Sequence, residues 1–332
     1  MVNGWDVARH AGVSQATVSR VMRGDSKVTP RTRELVLRAA EELGYAPDAA
    51  AQALITRRTG SVAVVVPDLA NPLYPQLITA AQEELHAAGY RMFLLNARFG
   101  DVDDHVRRLR GRTVDGVLLA SSIIDSPTVA EFIRRGLPTA LVIRGVAGLA
   151  VDTFIADDAA GCALAAGHLT GLGHRRIGMI SGPANTTSGR DRVRLFRAAL
   201  DRTRIGLPGP LVAHSPYSFN AGAELALRLL DRPDPPTALF CASDVLAFGA
   251  VDAIRRHGRR VPADVSIVGF DDVAMAGWEM IRLTTIRQPI EQMAREAVRT
   301  LLGRISGADA TPGRRHMFPV ELIERGTTGP PA

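Results

Sequence analysis

The sequence predicts an α/β protein in which a small helical headpiece precedes a two-lobed domain of doubly wound parallel sheets. Two patterns carry this prediction. Residues 1–46 contain helical patterns punctuated by capping residues and glycines, and no run that is typical of a strand. From Ser61 onward, short apolar runs alternate with helical patterns, which is typical of parallel strands with helices on both faces. The length of 332 residues, of which 46% are hydrophobic, allows two to three domains.

Two short helices joined by a tight turn are predicted near the amino terminus. Asp6 is the expected N-cap of the first helix, and Gly12 can adopt the positive φ angle that ends it. Ser14 is expected to cap the second helix, whose buried face is Val18 and Val21. The outer face then carries small and polar side chains suited to a DNA major groove: Gln15, Ala16, Ser19 and Arg20. An ordinary αα-hairpin in a globular core is the alternative.

A third helix and a short alanine-rich segment follow. Thr29 is expected to cap a helix from Pro30 to Leu43, and Gly44 ends it. The apolar positions that close a three-helix headpiece are Leu35, Val36, Ala39, Ala40 and Leu43.

The alanine-rich segment, which Asp48 can cap after the break at Pro47, is predicted to form a helix that ends near Thr56. Because so short a helix is unstable alone in water, we expect it to order only against a partner. If this helix forms only as a pair in the DNA minor groove, Leu54 is placed to insert into a base step and kink the duplex, and packing against the headpiece is the alternative.

The remainder of the chain contains two cycles of strands and helices. Two consecutive doubly wound halves imply a cleft between them, lined by loops at the carboxyl ends of the strands. The predicted domains are a headpiece (1–46), a hinge helix and linker (47–60) and a two-lobed domain (61–332). Within the last, lobe 1 is expected at about 61–158 plus 288–316, and lobe 2 at about 159–287 plus 317–332.

Charge and cysteine content narrow the possible functions. The formal net charge is +6, and residues 1–60 hold nine basic and six acidic side chains, as expected where phosphates are neutralised. Cys162 and Cys241 lie far apart in the sequence, and we expect buried thiols in a reducing compartment. The chain shows no secretory leader and no apolar run that could span a membrane, so a cytoplasmic location is expected.

An exported solute-binding receptor and an enzyme are the alternatives to a DNA-binding protein. An exported solute-binding receptor would explain the two lobes but not residues 1–60. An enzyme is disfavoured because the sequence has no strand-to-helix Gly-x-Gly-x-x-Gly turn, no phosphate-binding Gly-x-x-x-x-Gly-Lys loop and no Gly-x-Ser-x-Gly elbow. Its eight histidines show no metal-ligand spacing. We therefore expect no catalysis, no cofactor and no metal.

The segments DVARHAGVSQATVSRVM and VTPRTRELVLRAAEELGYAPDAAAQAL resemble the headpiece and hinge of lactose-repressor-type (LacI/GalR) transcription factors. The resemblance continues through VAVVVPDLANPLYPQLI, GHLTGLGHRRIGMISGP, ALFCASDVLAFGAVDAI and VPADVSIVGFDD, in a fixed order over nearly the whole chain. It implies a periplasmic-binding-protein-like fold for the two-lobed domain. It also implies a sequence-specific DNA-binding regulator, expected to be a repressor, that binds a near-palindromic operator as a homodimer.

The same resemblance implies control by a small-molecule effector in the cleft. A sugar or sugar derivative is expected, although a nucleobase or a phosphorylated metabolite would also suit two tyrosines with an arginine and an acid. Whether the effector induces or corepresses stays open, as does the choice between dimer and tetramer.

The resemblance further implies which side chains contact DNA. Gln15 and Arg20 can make directional hydrogen bonds to base edges, with Ala16 beside them. Hydroxyl and basic side chains around them are expected to contact phosphates and set the register. The predicted DNA-binding set is Ser14, Gln15, Ala16, Thr17, Ser19, Arg20, Arg23, Ala51 and Leu54.

For the effector, matched positions in the family supply aromatic stacking, an arginine that reaches the ligand and an acid that accepts from its hydroxyls. The predicted effector-binding set is Tyr74, Asp157, Arg192, Tyr217, Ser243, Asp271 and Gln288. Aspartate commonly caps helices, so capping is the alternative role for Asp68, Asp157, Asp244 and Asp272. Trp278 is a further aromatic candidate, with burial in the core as the alternative.

Overall fold

A computed structural model describes residues 2–22, 25, 27–45, 58–97, 113–120, 122–146, 148–309 and 311–332. The chain divides into two compact units, Met1–Gly60 and Ser61–Ala332. Within the described ranges, no helix combines the length and the apolar character needed to cross a bilayer.

In its described residues, the first unit contains three helices around a small apolar core. The helices are α1 (Gly4–His10), α2 (Gln15–Met22) and α3 (Pro30–Glu42). Each contributes one face to the core, whose buried residues are Val7, Ala8, Val18, Val21, Val36, Ala39 and Ala40. The three predicted helices are therefore confirmed.

Local capping explains where the headpiece helices begin and end, and it corrects one prediction. Asn3, not Asp6, is the N-cap of α1: the Asn3 side chain accepts from the amide of Trp5 at 2.9 Å, and the Asp6 carboxylate accepts from the amide of Asn3 at 3.0 Å. Because Asn3 has extended backbone, the helix starts one turn earlier than predicted. Gly12 and Gly44 have the positive φ angles that were expected at the helix ends.

One predicted core residue of α3 is also wrong. Leu35 is 47% exposed, whereas Val36, Ala39 and Ala40 are buried. The buried positions follow the i, i+3, i+4 spacing from Val36, and Leu35 lies about 100° away on the helix surface.

The second unit contains twelve strands and seven α-helices in its described residues. In chain order they are β1 (Ser61–Val66), α4 (Leu73–Ala87), β2 (Arg91–Asn96), β3 (Gly116–Leu119), α5 (Pro127–Arg134), β4 (Thr139–Val142), β5 (Asp152–Ala156), α6 (Asp158–Gly171), β6 (Ile177–Ser181), α7 (Thr187–Arg202), β7 (Val212–His214), α8 (Phe219–Leu230), β8 (Ala238–Cys241), α9 (Asp244–Arg256), β9 (Ser266–Asp271), β10 (Thr284–Arg287), α10 (Ile290–Ser306), β11 (Arg315–Phe318) and β12 (Glu321–Ile323). Short 3-10 helices lie at Gly209–Leu211 and Ala274–Gly277.

These strands form two six-stranded sheets. The first has the order β11-β5-β4-β3-β1-β2 and the second has the order β12-β10-β9-β8-β6-β7. All neighbouring strands are parallel except β12, which runs antiparallel to β10. The predicted α/β class with doubly wound parallel sheets is confirmed, and the chain passes between the sheets after β5, after β10 and after β11.

Glycines allow close approach of helices in both lobes. A Cβ atom at Gly116 would lie 2.8 Å from Cδ1 of Ile305, so glycine lets α10 pack directly on β3. In the other lobe, a Cβ atom at Gly249 would overlap the backbone oxygen of Phe219, so α8 and α9 pack backbone to backbone. Both cysteines are buried, as predicted.

Candidate functional site

Most of the predicted DNA-binding side chains lie at the start or on the outer face of α2. Val18 and Val21 are buried, which turns the opposite face of the helix outward. The hydroxyl of Ser14 accepts from the amide of Thr17 at 3.2 Å, so the helix start is capped as predicted. The structure brings together Ser14, Gln15, Ala16, Thr17, Ser19 and Arg20 at the start and on the outer side of α2. Arg23, Ala51 and Leu54 lie outside the described residues.

Polar contacts fix the frame that carries α2. His10 on α1 contacts Glu42 on α3 through Nε2 and Oε2 at 2.7 Å. Arg33 donates to the backbone oxygen of Asp25 at 2.7 Å and thereby ties α3 to the segment after α2. Several basic side chains remain exposed on this unit, namely Arg9, Arg20, Lys27, Arg31 and Arg38. A helix with a small polar face, on a rigid frame with exposed cations, suits contact with a nucleic acid.

In the second unit, loops at the carboxyl ends of strands from both sheets meet at a buried cavity. The cavity has about 20 Å³ of space for a water-sized sphere. Its walls are Asn71, Leu73, Tyr74, Ile143, Arg144, Ser188, Arg192, Tyr217, Ala242, Ser243 and Asp271. The structure thus brings five of the seven predicted effector-binding residues together, and Asp157 and Gln288 do not line this cavity.

A larger depression of about 660 Å³ lies on the surface beside the start of α10, and two of the arginines in its walls already have ion-pair partners in the protein. Arg287 pairs with Asp272 at 2.7 Å and Arg299 pairs with Glu84 at 2.7 Å. The depression is open and solvated, whereas the smaller cavity collects buried groups from both lobes. The interlobe cavity is therefore the stronger candidate for a ligand site.

Arg192 on α7 is held by partners in three other elements. Its Nε donates to Asp158 at 2.8 Å, and its Nη1 donates to the backbone oxygen of Ala242 at 2.7 Å. The guanidinium carbon lies 3.5 Å from the ring centroid of Phe270. With the residue only 3% exposed, these contacts give the guanidinium a fixed place in the cavity wall.

The two predicted tyrosines line the cavity from different lobes. Burial raises the pKa of Tyr74 to about 12 and also raises the pKa of Tyr217. Both phenols are therefore neutral at physiological pH and can act as hydrogen-bond donors. The hydroxyl of Tyr217 donates to Ser188 at 3.2 Å, which orients its ring.

Arg144 is a cavity residue that the sequence reasoning missed. It is 6% exposed, and its guanidinium carbon lies 5.6 Å from the ring centroid of Tyr217. Its Nε atom has no hydrogen-bond partner in the structure. One signal was available: Arg144 is the first charged residue after the apolar strand around β4, the same place that Asp68 takes after β1.

Asp271 is a strained and buried acid at the cavity wall. It has a φ angle of 130°, and its Oδ1 accepts from Nε2 of Gln288 at 2.6 Å. Burial, together with repulsion from Asp244, raises the pKa of Asp271 well above its ordinary value. The predicted Gln288 therefore lies behind the cavity, where it holds Asp271 in place.

The other acidic candidates have structural partners. Asp157 caps α6, accepting from the amide of Ala160 at 2.9 Å, as in its alternative role. Asp68 accepts from the amide of Ala70 at 3.0 Å in the turn after β1. Asp244 accepts from Thr285 at 2.5 Å and from the amide of Val273 at 2.9 Å, and Asp272 pairs with Arg287 and Arg325. Trp278 is 52% exposed and does not line the cavity, so burial in the core is not its role either.

Known proteins match both units. The family described as "Bacterial regulatory proteins, lacI family" matches residues 5–48, and the family described as "Periplasmic binding protein-like domain" matches residues 166–328. The HTH-type transcriptional regulator DegA of Bacillus subtilis is 34% identical to this chain over 331 residues, which cover 98% of each protein.

Two solved structures resemble the chain over nearly its full length. A lac repressor dimer bound to operator and the anti-inducer ONPF superposes with a TM-score of 0.87 at 29% identity and covers 99% of each chain. A complex of the transcriptional regulator CelR with cellobiose has a TM-score of 0.75 at 34% identity and covers 98% of this chain and 100% of the other. These relatives are regulators rather than enzymes, in agreement with the sequence prediction. The chain therefore belongs to the lacI family of bacterial regulatory proteins and is a DNA-binding transcriptional regulator.

Proposed function

We propose that this regulator is a repressor that binds a near-palindromic operator as a homodimer, and that a sugar or sugar derivative in the interlobe cavity sets its affinity for DNA. The observation that carries the proposal is the presence, in one chain, of an outward polar helix face on α2 and a buried polar cavity between two lobes.

On the DNA side, Gln15 and Arg20 are proposed to read base edges. Both are exposed on α2, and each good bidentate contact is worth about 1–3 kcal/mol of discrimination. Ser14, Thr17 and Ser19 lie beside them and are proposed to contact phosphates. A single eight-residue helix reads few base pairs, so two copies on a near-palindromic site are required for selectivity.

Exposed apolar side chains support a homodimer. Phe93 and Leu94 lie on β2, which is an edge strand of its sheet, and both are exposed. Trp278 and Met280 are exposed on the other lobe. Edge strands and apolar patches of this kind are typical of protein interfaces.

The effector is proposed to bind where Tyr74, Arg192, Tyr217, Ser243 and Asp271 converge. Ligand pockets usually measure about 300–1,000 Å³, so the lobes must separate before a sugar can enter this cavity. Cross-lobe hydrogen bonds must then break, among them one between the amide of Gly145 and the hydroxyl of Thr187 at 3.0 Å. Because the CelR relative was solved with cellobiose, a carbohydrate is the proposed class of ligand.

The switch is proposed to act through the linker at 47–60, as the sequence predicts. An effector that binds one arrangement of the lobes more tightly than the other shifts the population of that arrangement. The sign of the response, induction or corepression, then depends on which arrangement the effector prefers.

Selection of binding sites from a random DNA pool tests the DNA half of this proposal. We expect the wild-type protein to enrich one near-palindromic sequence and to sediment as a dimer with it. Gln15→Ala and Arg20→Ala should each weaken binding to the selected site about 5- to 150-fold in fluorescence anisotropy, the range that corresponds to 1–3 kcal/mol. Arg202→Ala, an exposed arginine at the end of α7, is the matched control and should bind like the wild type.

Absence of any enriched sequence, or equal binding by all four proteins, would refute the DNA half. The effector half is tested by titrating neutral and anionic sugars into the protein–operator complex. An affinity for operator that no sugar changes, in a protein whose melting temperature a sugar does raise, would refute it.

A further inference from the structure

We propose that Arg144 binds a carboxylate or phosphate group of the cavity ligand, so that the effector is an anionic carbohydrate and not a neutral one. This inference rests on the proposed function of the cavity as an effector site and names the chemical class of its ligand. The shared chemistry is a sugar skeleton that carries one anionic group, either a sugar acid or a sugar phosphate.

Arg144 is a buried cation without a counter-ion in the part of the chain that the structure describes. The residue is 6% exposed, its Nε atom has no hydrogen-bond partner, and it forms no ion pair with a described carboxylate. Its guanidinium carbon lies 5.6 Å from the centroid of the Tyr217 ring, over the face of that ring. A buried guanidinium is costly unless it is paired and hydrogen-bonded, so this site favours an anionic partner.

Arg192, in the same cavity, is a buried arginine whose partners come from the protein itself. It has an ion pair with Asp158 at 2.8 Å, a hydrogen bond to Ala242 at 2.7 Å and a ring contact with Phe270. Arg304 in the same lobe as Arg144 is likewise paired, with Asp152 at 2.8 Å. Arg144 differs from both, because no carboxylate in the described part of the chain pairs with it, and this favours a partner that comes from a ligand.

The backbone around Arg144 is fixed in an unusual conformation. Ile143 has a φ angle of 70°, which a β-branched residue rarely adopts. The carbonyl of Arg144 accepts from Ser122 at 3.4 Å, and the next amide, of Gly145, donates to Thr187 at 3.0 Å. Strain that the surrounding structure maintains is found preferentially at ligand sites.

The other charged residues of the described cavity wall do not neutralise the positive charge of Arg144. Arg192 is neutralised by Asp158, and Asp271 is the remaining acid among the described cavity residues. Burial and repulsion from Asp244 raise the pKa of Asp271, which favours its neutral form. Among the described residues, the cavity therefore has one positive charge, that of Arg144, without a compensating carboxylate.

The remaining polar groups suit the hydroxyls of a sugar. Ser243 is 3% exposed, and its hydroxyl has no partner in the structure. Tyr74 adds a neutral phenol on the opposite lobe. Arginine binds carboxylates and phosphates through two parallel hydrogen bonds, whereas a neutral sugar would leave the charge of Arg144 unpaired.

The test compares wild-type protein with Arg144→Met, which keeps an unbranched apolar stem and removes the charged guanidinium, and with the exposed control Arg202→Met. Melting temperatures are measured in sodium chloride, then in inorganic phosphate at equal ionic strength, and then with D-glucose, D-glucuronate and D-glucose 6-phosphate. In sodium chloride alone, Arg144→Met should melt at or above the wild-type temperature, because it removes an unpaired buried charge. Phosphate should raise the melting temperature of the wild type and of Arg202→Met by equal amounts, and that of Arg144→Met by less than half as much.

Among the sugars, glucuronate or glucose 6-phosphate should raise the melting temperature more than glucose does. The comparison between these two anionic sugars distinguishes a carboxylate site from a phosphate site. A lower melting temperature for Arg144→Met in chloride, an equal phosphate shift in all three proteins, or a larger shift with glucose than with both anionic sugars would overturn the inference. If none of the three sugars binds, the phosphate comparison decides the outcome alone.

Operator binding separates this inference from the proposed function. A neutral sugar that changes operator affinity equally in the wild type and in Arg144→Met would overturn the anion preference and leave the cavity as an effector site. Anions that bind through Arg144 and yet leave operator affinity unchanged at saturation would support the anion site and contradict the effector function.

Discussion

Arg192 is expected to stabilise the two-lobed unit as well as to contact the effector, and Arg192→Met separates the two roles. The substitution removes an ion pair with Asp158 at 2.8 Å, a hydrogen bond to Ala242 at 2.7 Å and contact with the ring of Phe270. It also leaves the carboxylate of Asp158 without its cation, in a place where burial already raises its pKa. Loss of one partner from a buried ion pair costs about 3–5 kcal/mol, and whole domains are stable by only about 5–15 kcal/mol.

The assay is urea denaturation of four proteins: wild type, Arg192→Met, Asp158→Asn and the double variant. Each single variant leaves one buried charge without its partner, whereas the double variant removes both charges. We therefore expect the double variant to be more stable than the sum of the single effects predicts, by about 1–3 kcal/mol. Arg190→Met is the matched control on the same helix, because its ion pair with Asp191 at 2.9 Å is solvent-exposed and should contribute less than about 1 kcal/mol.

Two results would refute this reasoning. One is additivity of the two single variants within about 0.5 kcal/mol, which would mean that the charges do not interact. The other is an Arg192→Met variant that is no less stable than Arg190→Met, which would mean that the contacts of Arg192 carry no net stability.

Three further predictions concern pH, helix packing and the hinge. Burial raises the pKa of Asp244 to about 7 from an ordinary 3.8, so the folded state holds a proton that the unfolded state has released. Stability should accordingly fall as the pH rises from about 4 to about 7. Asp244→Asn should flatten this dependence in urea midpoints, and an unchanged slope would contradict the assignment. Gly249→Ala should lower the melting temperature, because its Cβ atom would overlap the backbone of Phe219. Gly303→Ala, in the last turn of α10 with no atom closer than 4.0 Å, should raise it or leave it unchanged, and equal effects of the two would contradict the packing argument. Leu54→Ala should weaken binding to the selected operator and leave the sugar-induced change in melting temperature intact, and equal operator affinity in gel shifts would remove the minor-groove role predicted from the sequence.

Local sequence signals predicted most of the headpiece. The start of α3 at Thr29 and its end at Gly44 were predicted correctly, because capping and a positive φ angle depend on a few adjacent residues. The error at Asp6 arose because Asn3 is an equally good cap and only the extended backbone at Asn3 decides between them. Leu35 was misplaced because a one-residue shift turns a side chain by about 100° around the helix.

The sequence predicted those cleft residues whose positions follow from the sheet topology. It failed for the residues whose positions depend on tertiary contacts. Tyr217 and Ser243 lie close together because β7 and β8 are parallel strands that end at the same edge of one sheet, and Tyr74 follows β1 at the carboxyl edge of the other sheet. Asp157 could serve either as a cap or as a ligand contact on sequence grounds, and its side chain lies against its own helix. Arg144 was overlooked because arginine is usually exposed, and its burial depends on the backbone turn at Ile143.

The passage of the chain between the two sheets has a consequence for synthesis on the ribosome. The headpiece core is complete once Tyr45 has emerged, and lobe 1 has five of its six strands by Ala156. Its last strand, β11, and the helix that covers β3, α10, are translated only after the whole interrupting stretch up to β10. A nascent chain therefore has a complete headpiece core long before either lobe has all of its strands, and a premature stop before Phe318 would release a headpiece without a complete two-lobed unit.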